Sequence, residues 1–158
     1  MKAVVQRVSR AAVRIGAGSA AEPIAAIGPG MLVLLGVLRG DGPEEAARLA
    51  EKVARFRFFA DAEDRMNLSA LDRGLEALVV SQFTLAADGR RGRRPSFDSA
   101  APPTEAERLY EDFVARLRAL GLRTCTGRFG ARMEVEILND GPVTFLLEES
   151  PHRPGQGP

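Results

Sequence analysis

Apolar and polar positions along this chain fall into two alternating periods, and the changes between them mark out the elements. MKAVVQRV and AAVRI, rich in β-branched and small apolar residues, predict two short strands. IGPG marks a turn before MLVLLGVL, an unbroken apolar run suited to a strand buried on both faces. In DGPEEAARLAEKVARF the period becomes helical, with Ala46, Leu49, Ala50 and Val53 on one face. There Asp41 or Gly42 can cap, Pro43 fits the first helical position, and Glu44 and Glu45 favour the positive helix end. FRFF reads as a strand or a helix end, DAEDRMNLSALDRG as a loop, and LEALVVSQF as a core strand finished by Ser81 and Gln82.

The basic loop DGRRGRRPSFDSAAPP leads into a second predicted helix, with a capping box at Thr104 and Glu107. Its apolar face is Ala106, Leu109, Tyr110, Phe113 and Leu117, and Gly121 stops it. TCTGRFG reads as a linker. Strict alternation follows, with Ala131, Met133, Val135 and Ile137 on one face and Arg132, Glu134 and Glu136 on the other. VTFLLEE predicts the last strand. NDGP joins these two runs; Asp-Gly alone suits a tight hairpin, which has no need of the proline that follows. The order of elements predicts one α+β domain with helices packed on a strongly curved, barrel-like sheet.

Composition narrows the chemistry. A chain of 158 residues suits one domain, and 22 Lys and Arg against 21 Asp and Glu argue against a broad nucleic-acid footprint. With no signal-like start and no apolar run near the ~18 residues of a membrane span, a soluble cytoplasmic protein is expected. Cys125, the sole cysteine, excludes an intrachain disulfide and a Cys-cluster metal site. His152, the sole histidine, lies in the Pro/Gly-rich end SPHRPGQGP, which removes Ser-His-Asp and Cys-His designs and the usual histidine zinc sites. No metal and no cofactor are expected.

Four stretches could carry function. SQFTLAAD places hydroxyls, an amide and backbone N–H groups at a sheet edge, where they could form an oxyanion hole, although a strand ending in a polar loop looks the same. RRGRRPSF concentrates Arg90, Arg91, Arg93 and Arg94 on a loop that could contact phosphates or be merely solvated. TGRFGARM offers Phe129 for stacking on a base or for the core. NDGP is the fourth. The acidic groups Asp61, Glu63, Asp64, Glu134 and Glu136 read as solvated charges, not as a glycosidase pair.

Together, QRVSRAAV, GPGMLVLLGV, RMN, VVSQFTLAAD, GRRPSF, TGRFGARM and NDGPVTF resemble the D-aminoacyl-tRNA deacylase family in order and approximate spacing. The likeness runs from Met1 to about Glu149 and leaves 150–158 as an extra tail; GAGSAAEPIAA replaces the family's usual charged hairpin. It implies a homodimeric hydrolase that cleaves the ester joining a D-amino acid, or glycine, to the terminal adenosine of tRNA. On the family's pattern Ser81, Gln82 and Phe83 line the site and supply donors. Thr84 is a nucleophile or, as we favour in the absence of a nearby base, a positioning group. Phe129 would stack on the terminal adenine, with Met133 in the same pocket. Gly141-Pro142 matches a Gly-cisPro motif that enters the partner subunit's site and turns two carbonyl oxygens on the α-carbon; Arg7 matches the arginine that braces it. The vicinal ribose hydroxyl would assist hydrolysis. The other reading is a dimeric single-stranded nucleic-acid-binding module, gripping through the arginine loop and without hydrolase activity.

Overall fold

Strand β3 (Gly30–Gly36) shows why MLVLLG is apolar throughout: Met31, Val33 and Leu35 point into one buried cluster and Leu32 into a second. The neighbouring strand β6 (Glu76–Ser81) divides in the same way, Ala77 and Val79 to the first cluster and Leu78 and Val80 to the second. These strands therefore have no solvent face, and a period of two cannot show in their hydropathy. The computed structural model describes residues 1–16, 18, 22–90 and 92–151; Arg91 and His152 lie outside the described residues, as does the tail from 152.

Around this pair runs a six-stranded sheet in the order β2-β1-β3-β6-β7, with β8 on the remaining side of β1. Strand β1 (Lys2–Ile15) is one long strand, not two short ones. Its first half pairs antiparallel with β3 and its second half with β2 (Glu22–Ile27), while β8 (Met133–Glu148) follows its other edge. Ser9 and Arg10 interrupt the apolar pattern at an exposed register shift without ending the strand. β7 (Arg123–Thr126) occupies the stretch expected to be a linker and lies parallel to β6, which is parallel to β3. FRFF and the following loop contain a small separate pair, β4 (Phe59–Ala60) and β5 (Met66–Leu68).

The second cluster fills the inside of the curved sheet, with Val8, Ala11, Val13 and Ile27 closing it. The first lies under two helices, α1 (Pro43–Arg55) and α2 (Pro103–Ala119). The α+β, nearly closed sheet expected from the sequence is thus observed. Helix α1 buries its expected face and is capped at Gly42, whose N–H donates to Glu45 Oε2 at 2.8 Å. Helix α2 starts one residue before Thr104, with Pro102 as N-cap and no side-chain cap, so the predicted capping box is not formed. Two consecutive prolines fix the entry and leave Thr104 inside the first turn.

Tyr110 on α2 donates its buried hydroxyl to Val79 O at 2.9 Å, and burial pushes the phenol up to about 12. A raised acid of this kind stabilises the fold fully below its unfolded pKa of about 10, and that contribution is lost as pH climbs toward 12. Tyr110 is the only tyrosine and tryptophan is absent, so tyrosinate absorbance reads this one group. Native protein is expected to show no tyrosinate at pH 10.5, where urea-unfolded protein is more than half ionised. Equal titration curves for the two states would overturn this.

Candidate active site

In parallel strands the chain exits all along one edge, where successive loops can converge on a ligand. Here β3, β6 and β7 end together at Gly36, Ser81 and Thr126. The loops that follow, with the start of α2, line one cleft of about 700 Å³. Ser81, Gln82, Phe83, Phe129 and Met133 all face it. Two stretches far apart in the sequence, 81–83 and 129–133, are so brought to one place, in a volume that suits a small organic group.

Directly after β6 the chain tightens into a short 3-10 turn, Phe83–Ala86. Gln82 N–H donates to Leu35 O at 2.8 Å, which hooks the turn onto the end of β3. That amide is therefore committed to the sheet, and the donors expected near Gln82 move one residue on. The N–H groups of Phe83 and Thr84 open the turn and take no backbone partner among the described residues. Gly36 permits this packing: a Cβ there would stand 2.9 Å from Leu85 Cβ and 3.1 Å from Gln82 O. Thr84 Oγ1 accepts from Gln82 Nε2, an amide that cannot act as a base.

Phe129 is half-buried, its ring tilted against Tyr110 at 5.9 Å between centroids. Val79 O, which accepts the Tyr110 hydroxyl, also accepts Gly127 N–H at 3.0 Å, so one carbonyl anchors both the helix and the loop that carries Phe129. Met133 packs over Gly127, where a Cβ would come within 2.8 Å of its sulfur. Phe83 and Phe97 form a tilted pair at 5.1 Å on the rim. Among the described residues Arg39 is the one ionisable side chain lining the cleft, so no carboxylate, histidine or lysine stands ready as a base. Nor do three His, Cys, Asp or Glu side chains gather anywhere among them to hold a metal ion.

Arg39 and the strap Ala100–Pro103 are not among the expected site residues, and Phe97 stands there only as the end of the motif GRRPSF. Arg39 follows β3 at the same edge as Ser81, so the parallel pairing would have pointed to it. The expected basic loop is only partly available: Arg90 is folded onto Asp88 by a forked contact at 2.7–3.1 Å, which pulls that carboxyl down to about 2. Arg93 and Arg94 are exposed.

Arg7, Gly141 and Pro142 lie elsewhere. NDGP is no hairpin: β8 keeps its direction along β1, with Asn139 opposite Val8 and Thr144 opposite Gln6, and the residues between them bulge outward. Asn139 Nδ2 closes the base of the bulge, donating to Arg7 O at 2.9 Å and Val143 O at 3.0 Å. Arg7 Nε reaches Asp140 Oδ2 at 3.1 Å and Asp140 O at 3.3 Å, while Nη1 donates to Phe58 O at 3.0 Å. The Gly141–Pro142 peptide is cis, and Gly141 sits at φ +129°, where a Cβ would lie 2.6 Å from Val143 Cγ2. Arg7 is opposite Met31 on β3, whereas Ser81 is opposite Leu35. Four residues of strand, about 13 Å, separate bulge and cleft along the sheet.

A family model described as D-Tyr-tRNA(Tyr) deacylase matches residues 4–148. The chain belongs to that family. Within the D-Tyr-tRNA(Tyr) deacylase family it is similar to proteins named D-aminoacyl-tRNA deacylase, which are hydrolases. That of Roseiflexus sp. (strain RS-1) is 58% identical over 150 residues, covering 95% of this chain and 94% of that one. That of Idiomarina loihiensis is 54% identical over 94% of this chain and 99% of its own. Among solved structures, the c-Myc DNA Unwinding Element Binding Protein superposes with a TM-score of 0.87 at 43% identity, covering 96% of this chain and all of that one. A probable eukaryotic D-amino acid tRNA deacylase superposes at 0.80 with 15% identity over 94% of this chain and 98% of its own, and that likeness speaks for the fold alone.

Proposed function

We propose that this chain hydrolyses the ester joining a D-amino acid, or glycine, to the 3′-terminal adenosine of tRNA and rejects L-aminoacyl esters. The observation that carries the reading is a cleft with an aromatic wall and no general base among the described residues, bordered at Phe83 by a turn whose first two backbone N–H groups, those of Phe83 and Thr84, take no backbone partner there. An aminoacyl ester is already activated and brings its own vicinal hydroxyl, so positioning and oxyanion stabilisation suffice. The names of relatives more than 50% identical over nearly their full lengths support the substrate. Adenine would lie on Phe129 beside Met133, with the ester carbonyl at the Phe83 and Thr84 amides.

Chiral selection falls to Gly141 and Pro142 of a second copy. The bulge is exposed and does not line its own cleft, and the outer edge of β8 is unpaired among the described residues. Ile137, placed by alternation on one face with Met133 and Val135, is 39% exposed there, beside Leu138 at 51% and Leu146 at 58%, an apolar edge suited to dimer contact. Carbonyl oxygens set against the α-carbon accept a D-residue, whose amino group donates to them, and exclude an L side chain. Glycine has no side chain and escapes exclusion. Cytoplasmic charged tRNA is the substrate pool, and Arg93 and Arg94 contact its phosphates.

Incubating catalytic amounts of protein with D-Tyr-tRNA, Gly-tRNA and L-Tyr-tRNA tests the reading. Release of free D-Tyr and glycine with L-Tyr-tRNA spared is expected. Salt-sensitive binding without turnover would favour a nucleic-acid-binding module, which the name of the 43%-identical structure brings into play.

A further inference from the structure

Arg39 lines the cleft yet belongs to none of the motifs above. Its position is fixed from two sides: its N–H donates to Ser99 O at 2.9 Å and its Nε–H to Asp98 O at 2.7 Å. Among the described residues no carboxylate comes within ion-pair distance of it, in contrast to Arg7, Arg48, Arg90 and Arg116. With Nε held by a backbone carbonyl, the plane of the guanidinium is restrained; its two Nη groups take no partner among the described residues, and the exposed side chain borders both this cleft and the neighbouring hollow at Met1 and Glu148. Such a fork matches two non-bridging oxygens of a phosphate or two carboxylate oxygens.

The chemistry of the substrate proposed above decides between these. In an aminoacyl ester the carboxyl group is esterified and uncharged, and the α-amino group is neutral or cationic. The anion nearest the reacting centre is then the phosphodiester on the 5′ side of the terminal adenosine. We propose that Arg39 is the subsite for this phosphodiester. It fixes the last nucleotide from the side opposite the ester while Phe129 holds the base, so that the ester meets the turn at Phe83 in one pose. This rests on the deacylase reading and adds to it a residue that binds the end of the acceptor strand independently of nucleotide sequence.

The test uses two small substrates, 3′-O-D-aminoacyl adenosine with a free 5′-hydroxyl and the same compound carrying a 5′-methyl phosphodiester. Wild-type protein is expected to gain about 10- to 50-fold in kcat/KM from the phosphodiester, expressed mainly in KM, the scale of one charge-assisted fork. Arg39→Ala and Arg39→Gln should lose most of that gain, and Arg39→Lys should keep part of it. Because the readout is the ratio between the two substrates, a general loss of activity through the strap at Asp98 and Ser99 cancels. A full phosphodiester gain in folded Arg39→Ala or Arg39→Gln overturns the subsite. Cleavage of neither compound, nor of D-Tyr-tRNA, by wild-type protein would mean instead that the deacylase reading has failed, and the subsite falls with it.

Discussion

D-aminoacyl-tRNA ending in 2′-deoxyadenosine, with the amino acid on the 3′ oxygen, is expected to be hydrolysed at least about 100-fold more slowly than the natural ester, the scale of a lost acid–base group. The cleft contains no carboxylate, histidine or lysine among the described residues. Thr84 Oγ1 has Gln82 Nε2 as its partner, a donor that cannot remove its proton. A threonine without a base is a poor nucleophile. On the proposed reading the acid–base element comes from the substrate, whose 2′-hydroxyl is the group adjacent to the ester carbonyl. Thr84→Ala is accordingly expected to stay within about 10-fold of wild type, since the backbone donors of the turn remain. Equal hydrolysis of the two esters, or a covalent aminoacyl ester trapped on Thr84, would sink this mechanism.

Arg7→Ala should cost about 100-fold in hydrolysis of D-aminoacyl-tRNA and narrow the preference for D over L. Arg7 holds Asp140 through both its backbone and its side-chain oxygen and ties it to Phe58 O. Bonds of this type to charged groups are worth about 1.5–3 kcal/mol each where they are shielded from water. The Asp140 carboxylate is half exposed, which discounts its share. Without Arg7 the bulge keeps only the Asn139 clamp at its base, and Gly141 loses the guanidinium against which it packs. A placement error near 1 Å is enough for a 100-fold loss. Arg7→Lys should fail to restore the rate, because an ammonium reaches one oxygen where the fork spans several groups. Unchanged rate and unchanged D/L ratio in a folded Arg7→Ala would refute the bracing role.

Legibility in the sequence followed the strength of the local signal. MLVLLG and the helix at Pro43 were readable because burial on two faces and a 3.6 period leave long, unambiguous patterns. The polar end of β6 at Ser81 and Gln82 was readable because polar residues finish an apolar strand, but the strand was expected to run through Phe83, where the 3-10 turn already begins. β7 was missed: four residues, Arg123–Thr126, with two threonines and an arginine, carry too little hydropathy to separate strand from linker, and only pairing with β6 settles them. NDGP misled for the opposite reason. Its turn chemistry is real, but the flanking runs both pair with β1, so the positive φ of Gly141 serves a bulge and not a reversal. Arg39 had no local signature at all. Its significance comes from the parallel register that places it beside Ser81.

That register carries a consequence for how such a protein can change over time. Met31, opposite Arg7 of β1, and Leu35, beside Ser81 of β6, lie on one strand, β3. β3 thus acts as a ruler four residues long between the bulge held by Arg7 and the turn that borders the cleft. Inserting or deleting one residue within it would alter the spacing by about 3.3 Å and swap the side chains of the two buried clusters at once. Drift in this strand is confined to exchanges of one apolar side chain for another. Changes in chain length must accumulate where nothing is measured off, as in the connection between β1 and β2.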